Sequence, residues 1–338
     1  MNGFFWLALI LFSPIWVPLF IIWGVISWVL LALGLIGETQ TYSRRVTPEL
    51  ASKRERRFLK AIDTSAEAFW ETELSYEEIK IPKKSGGFRT LSIPSEDLKI
   101  LQKKVAGIID AYHGDMVHGC ANAFHRGRSI LTNARPHLGC KVLVKLDIVD
   151  FFPSVNPEHA RRFLRFKGMP LEGTADAPRL IEDRLLEILF FRGGLPQGAP
   201  SSPLLSNLLM RDLDIELSSY AKRYNGVYTR YADDISVSFV SEDKGTARKT
   251  IQAVDDMLVR RGFSLNRKRQ KLHVLRRHQA QRICGVTINS GKLSISRRKR
   301  RELRAVKHHL LLGKNATLTL AQLEGWDCFL DMVAKAKK

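Results

Sequence analysis

YTRYADDISVSF, residues 228–239, sets two adjacent aspartates, Asp233 and Asp234, between two runs of β-forming residues. The alternation of Tyr, Thr, Ile and Val on either side predicts two strands with Ala-Asp-Asp at the bend. Two neighbouring carboxylates repel unless a positive charge is close. A divalent cation satisfies such a pair: Mg2+ takes oxygen ligands from one or two carboxylates and fills its shell with phosphate oxygens and water. A third acid at a strand end then belongs to the same site. LDIVDFF (residues 146–152) supplies Asp147 where the buried run VLVKL ends. Three carboxylates around two metal ions describe nucleotidyl transfer. Taken alone, the pair also fits a solvated turn, where aspartate is common.

The chain has 338 residues, enough for a sizeable core in one large or two medium domains. Its formal net charge of +20 points to a polyanionic partner, nucleic acid or an anionic membrane. Cys120, Cys140, Cys284 and Cys328 are scattered without CxxC spacing, which argues against a zinc site and a disulfide framework. They read as small buried thiols in a reducing compartment.

Residues 4–36 carry no charged side chain. The run is long enough to cross a bilayer as one tilted or kinked helix, or as a tight helical hairpin. Pro14 and Pro18 would kink it early, and Trp6, Trp16, Trp23 and Trp28 suit interfacial depths. No Lys or Arg precedes it, unlike a secretory signal. Arg44, Arg45, Lys53, Arg54, Arg56, Arg57 and Lys60 follow, and such a basic flank keeps the rest of the chain cytoplasmic.

Beyond residue 45 the pattern is mixed α/β. Residues 50–80 are charged and helix-like, and IPKKSGGFRTLSIP (81–94) reads as two short strands around a Gly-Gly turn. Residues 97–112, 202–224 and 244–262 read as helices, the last ended by Gly262, and the tail from Ser294 is basic and helix-like.

YADD preceded by LDxxDFF, with PQG between them, resembles the motif order of bacterial reverse transcriptases over about residues 80–310. Two further features are similar to retron enzymes rather than group II introns. Asn133, Ala134 and His137 form NAxxH just before the first acid. Ile283-Cys284-Gly285 stands where retrons carry VTG, with the Thr hydroxyl lost. The resemblance implies an α+β right-hand polymerase of fingers, palm and thumb, with an N-terminal transmembrane helix or helical hairpin. The expected domains are a membrane segment (1–40), a basic helical linker (41–80), fingers and palm (81–285) and an RNA-binding thumb (286–338).

It further implies that Asp147, Asp233 and Asp234 hold two Mg2+ ions. Lys83, Lys84 and Arg89 would clamp the triphosphate of a dNTP, and Phe152 would lie under the sugar and select deoxynucleotides. Gln197 would meet the nascent pair, and Gly198 would let the backbone approach the nucleotide. Asn133 and His137 would contact RNA or, on the other reading, brace the palm as a polar loop. Arg297, Arg298, Lys299, Arg300, Arg301, Arg304 and Lys307 suit backbone contact with RNA or a hybrid duplex. The implied partners are a cognate structured noncoding RNA, its DNA product, dNTPs, a membrane through residues 4–36, and an effector protein or further copies of the chain. The implied setting is antiphage defence at the bacterial inner membrane, with the catalytic domain in the cytoplasm. Two alternatives stand beside it. NAxxH opposes a defence-type or group II-like reverse transcriptase using another template or no template. Intact acids at all three positions oppose a membrane toxin or RNA-binding scaffold.

Overall fold

The computed structural model describes residues 53–83, 86–164, 180–241, 243, 245–289 and 291–336. Among them no helix is long and apolar enough to cross a membrane; residues 4–36 lie outside the described residues. Helices α1 (Lys53–Ala61) and α2 (Ala66–Glu71) come first. The fully buried rings of Phe58 and Phe69 meet edge to face at 6.0 Å. The Ser65 hydroxyl starts α2 by accepting from the Ala68 N–H.

The expected helical region ends sooner than residue 80. Strand β1 (Tyr76–Pro82) already runs through it and pairs antiparallel with β2 (Phe88–Pro94). Alternating Ile79 and Ile81 favour a strand, and Gly86 and Gly87 both adopt positive φ at the tip. The border expected between residues 80 and 81 therefore falls inside β1.

Helix α3 (Glu96–His113) buries a stripe of Leu98, Leu101, Val105 and Ile109, the spacing of one helical face. The short α4 (Ile130–Ala134) starts at a capping box between Ser129 and Thr132. Strand β3 (Val142–Asp147) follows, then α5 (Pro157–Leu164) and α6 (Leu180–Leu189). Residues 202–224 form two helices rather than one: α7 (Ser202–Leu209) and α8 (Arg211–Arg223), bent at buried Met210. The bend gives each half its own neighbours. Helix α7 packs on α3 and α5, while α8 packs on the strand after it.

That strand is β4 (Gly226–Tyr231), which turns into β5 (Asp234–Phe239). Next come α9 (Thr246–Val259) and β6 (His273–Arg276). Gly262, at φ 77°, closes α9 as the Phe263 N–H reaches back to the Leu258 carbonyl. The main sheet has the order β4-β5-β3-β6, antiparallel throughout. Strand β3 is buried on both faces. Val142, Val144 and Leu146 point into the larger core, and Leu143 joins a second cluster with Leu131, Ile283 and Val286. Each such side chain contributes about 1.5–3 kcal/mol of transfer free energy, which anchors the strand carrying Asp147.

The hairpin of β7 (Arg282–Ile283) and β8 (Val286–Thr287) crosses the border expected between residues 285 and 286. Helices α10 (Arg297–Leu311) and α11 (Leu320–Lys335) then pair around Ile295, Leu303, Val306 and Leu323.

Candidate active site

The register of β4 and β5 pairs Tyr231 with Asp234 and leaves Ala232-Asp233 as a two-residue loop. Such loops need positive φ at their first residue, and Ala232 adopts 56°. For an alanine this costs about 1–2 kcal/mol. Strand β3 flanks β5 on its other side with Asp147 directly opposite Asp234, so these two side chains share one face of the sheet. The Ile148 N–H donates to the Asp233 carbonyl at 3.1 Å. Asp147, Asp233 and Asp234 thus meet at one end of the sheet.

Their charges interact. Burial raises the Asp233 pKa above the ordinary carboxylate range, and Asp234 and Asp147 push it further. Burial raises Asp234 too; Lys145 pulls it back, Asp147 adds to the rise and Lys271 opposes it. One cationic side chain sits on the acids: Lys271 Nζ lies 2.5 Å from Asp147 Oδ1. Asn266 Nδ2 donates to Asp147 Oδ2 at 2.9 Å, and its N–H donates to the Asp147 carbonyl at 2.8 Å. Among the described residues no group of three or more His, Cys, Asp or Glu is arranged so that it could hold a metal ion as it stands. The donor set nevertheless fits Mg2+: it is all oxygen, two of its carboxylates are electrostatically unsatisfied, and a lysine ammonium stands in as the cation on the third.

Lys83, Arg89 and Gln197 line one cleft of about 350 Å3, together with Asp150 and Arg192. Lys84 lies outside the described residues. Gly198 has φ 131°, and a Cβ there would sit 2.7 Å from the Ser92 carbonyl. The Ser92 N–H donates to the Gln197 carbonyl at 2.7 Å. The close approach that requires this glycine in the structure is to β2. Phe152 is half-buried, with its ring 5.4 Å from Phe151 and 6.0 Å from Phe124. A larger cavity of about 580 Å3, lined by Asp110, Asp115, Phe124 and Arg126, contains none of the three aspartates.

Two expected RNA contacts are corrected. Asn133 and His137 are 0% and 1% exposed, so neither side chain has surface for RNA. His137 bonds Ser238 Oγ at 2.7 Å and Thr229 Oγ1 at 2.8 Å, tying β5 to β4 behind the Ala232-Asp233 loop. Burial pushes its imidazole down to about 3, so it is neutral near pH 7. Asn133 Nδ2 lies 3.4 Å from the Cys284 thiol. NAxxH braces the sheet, as its other reading allowed.

On α10, Arg297, Arg298, Arg300, Arg301, Arg304 and Lys307 are exposed. Lys299 differs: it pairs with Glu302 at 2.6 Å and lies 4.6 Å over the Trp326 ring of α11. Sequence reasoning missed Lys271 and Asn266. They stand in the polar run LNRKRQK after the Gly262 turn, and such a run looks solvated until the fold brings it to Asp147.

Residues 81–299 match the family model described as reverse transcriptase (RNA-dependent DNA polymerase). The chain is 36% identical to the Retron Mx162 reverse transcriptase of Myxococcus xanthus, over 79% of this chain and 59% of that protein. It is 37% identical to the Retron Mx65 reverse transcriptase of the same organism, over 76% and 61%. To the Retron Ec86 reverse transcriptase of Escherichia coli it is 33% identical, over 75% and 73%. The chain thus spans about three fifths of the two Myxococcus relatives' length. On the matched 81–299 segment and these identities, the chain belongs to the reverse transcriptase family, in its retron branch.

Proposed function

We propose that this chain is a retron RNA-directed DNA polymerase that copies part of a cognate structured noncoding RNA into RNA-linked single-stranded DNA. The observation that carries this reading is the Asp147–Asp234 register beside the Ala232-Asp233 loop, in a chain of this family. Asp147, Asp233 and Asp234 would hold two Mg2+ ions, which when bound activate the attacking hydroxyl and neutralise charge on the leaving group. Lys83 and Arg89 bind the triphosphate of a dNTP by point charge and planar fork. Gln197, in the same cleft, positions the nascent pair. Phe152, braced by Phe151 and Phe124, crowds the ribose 2′ position. The exposed guanidinium groups of α10 hold phosphates of the RNA or hybrid. A 2′-hydroxyl of the bound RNA serves as primer, and the DNA–RNA–protein complex acts in antiphage defence. In the hand analogy, the β1–β2 hairpin is the fingers, the main sheet the palm, and the α10–α11 pair the thumb.

Residues 4–36 anchor the complex at the inner membrane or act as its effector, with the catalytic part in the cytoplasm. Their lack of charge and the basic flank behind them support this. A variant starting at Thr47 that still sediments with membranes and protects cells as the full chain does would end that part.

The polymerase reading is tested by expressing the gene with several hundred flanking bases and isolating short nucleic acid. A discrete branched RNA-linked DNA is expected, and it should vanish in the paired Asp233→Ala, Asp234→Ala variant. No DNA from the unaltered gene, with the neighbouring RNA clearly expressed, would overturn it.

A further inference from the structure

The loop that presents Asp233 is strained at Ala232, whose φ is 56°. Two residues before Ala232, Arg230 on β4 is 0% exposed, and so is its partner Asp214 on α8. The guanidinium forks onto the carboxylate, Nε to Oδ1 at 2.9 Å and Nη2 to Oδ2 at 2.7 Å. Its remaining arm, Nη1, donates to the Ala232 carbonyl at 3.2 Å. The Tyr228 hydroxyl, two residues earlier on the same strand face, also donates to Asp214 Oδ1 at 2.7 Å. The backbone of Arg230 is held as well: its N–H donates to the Cys120 carbonyl at 2.9 Å, and its carbonyl accepts from Asn122 at 2.8 Å.

A buried ion pair is a poor device for stability alone. Desolvation of both charges roughly cancels their attraction, and an apolar pair of similar size often serves as well or better. Three directed donors in one rigid plane are what arginine offers and a hydrophobe does not. Two of them grip Asp214, so the direction of the third is set by α8. The group it holds is decisive. The Ala232 carbonyl and the Asp233 amide belong to one planar peptide unit, so fixing the carbonyl fixes the entry of the chain into Asp233.

We propose that Arg230, clamped by Asp214, is the positioning residue of the catalytic loop. It pins the Ala232–Asp233 peptide plane and so aims the Asp233 carboxylate. It touches neither substrate nor metal. This rests on the polymerase reading of the three aspartates.

The test compares Arg230→Lys and the apolar pair Asp214→Leu/Arg230→Met with the full-length enzyme. Three quantities are read: thermal unfolding, dNTP-dependent kinetics on a primed RNA, and Mn2+ binding to the purified protein by paramagnetic resonance. The apolar pair is expected to unfold cooperatively at a lowered midpoint: the ion pair itself contributes little net stability, but the Tyr228 hydroxyl loses its acceptor and the Ala232 carbonyl its donor. Its kcat should fall about 10- to 100-fold, the penalty of a misplacement of about 1 Å. The KM for dNTP should change little, and Mn2+ binding should weaken. Arg230→Lys keeps the charge beside Asp214 but lacks the third arm, so it should show the same split in milder form. A folded apolar pair with unaltered kcat and Mn2+ affinity would overturn the proposal. If that pair fails to fold, Arg230→Lys decides: unaltered kcat at an unaltered midpoint overturns it, and a fall in kcat alone supports it. If the unaltered enzyme shows no polymerisation, the polymerase reading fails separately, and Mn2+ affinity alone then judges the positioning role.

Discussion

The buried residues behind the Ala232-Asp233 loop and the surface of α10 are both rich in polar side chains; the second was expected to meet RNA, the first either to do so or to brace the palm. In the first, Asn133 and His137 are enclosed, and His137 spends both ring nitrogens on Thr229 and Ser238. In the second, Arg301 and Arg304 are exposed to solvent. The difference teaches that a polar motif beside an active site can be a clamp rather than a contact. A buried polar group with its partners in place acts on the fold, because losing one partner strands the others. An exposed cation acts only through what it binds, because an exposed ion pair contributes about 0–1 kcal/mol.

Substitutions separate the two regions, and the largest effect comes from neither. Asp233→Asn should lower kcat by about 10^3-fold or more, the several kcal/mol attributed to metal-ion catalysis. The same change should leave the metal-free protein as stable or more so, because it relieves the repulsion from Asp234 and Asp147. Kinetics and thermal melts in a chelator check both halves.

His137→Gln should cost about 2 kcal/mol of stability through the hydroxyls it strands. RNA affinity and its salt dependence should not move. The pH dependence gives a second signature. The native imidazole resists protonation down to about 3, whereas in the unfolded chain it titrates near 6.5. The unfolded state therefore binds the extra proton in this window. Stability from this group is present above 6.5 and is lost as pH falls, by about 1.4 kcal/mol per unit. Denaturant melts from pH 7 to pH 5 should show a shallower decline in His137→Gln.

Arg301→Ala with Arg304→Ala should do the reverse. RNA affinity should drop, and the slope of log affinity against log salt should shrink by about 0.7–0.9 per lost phosphate contact. The thermal midpoint should hold. Lys299→Met gives the smallest effect. It should lose about 0.5–1 kcal/mol from the cation–π contact with Trp326 and change the RNA salt slope less than either arginine does.

The β4–β5 hairpin was legible because its signals are local: alternating β-formers, two aspartates and a short bend. The Gly-Gly turn and the stripe of α3 were legible for the same reason. What sequence periodicity missed is tertiary. Strand β1 begins at Tyr76 because β2 is there to pair with it, although charged Glu77 and Glu78 look helical. The bend at Met210 has no proline or glycine to announce it. Lys271 reaches Asp147 only once β6 has joined β3. Nothing in the local sequence marks Arg230 as interior; a partner sixteen residues away in α8 makes it so.

The most direct measurement is Mg2+-dependent incorporation of deoxynucleotides on a primed RNA template by the purified protein, with Asp147→Asn and the paired Asp233→Ala, Asp234→Ala variant beside it. Template-directed incorporation by the unaltered protein, abolished in both variants while each still binds RNA, is the result predicted. Incorporation that survives the loss of these aspartates would contradict the assignment of the site.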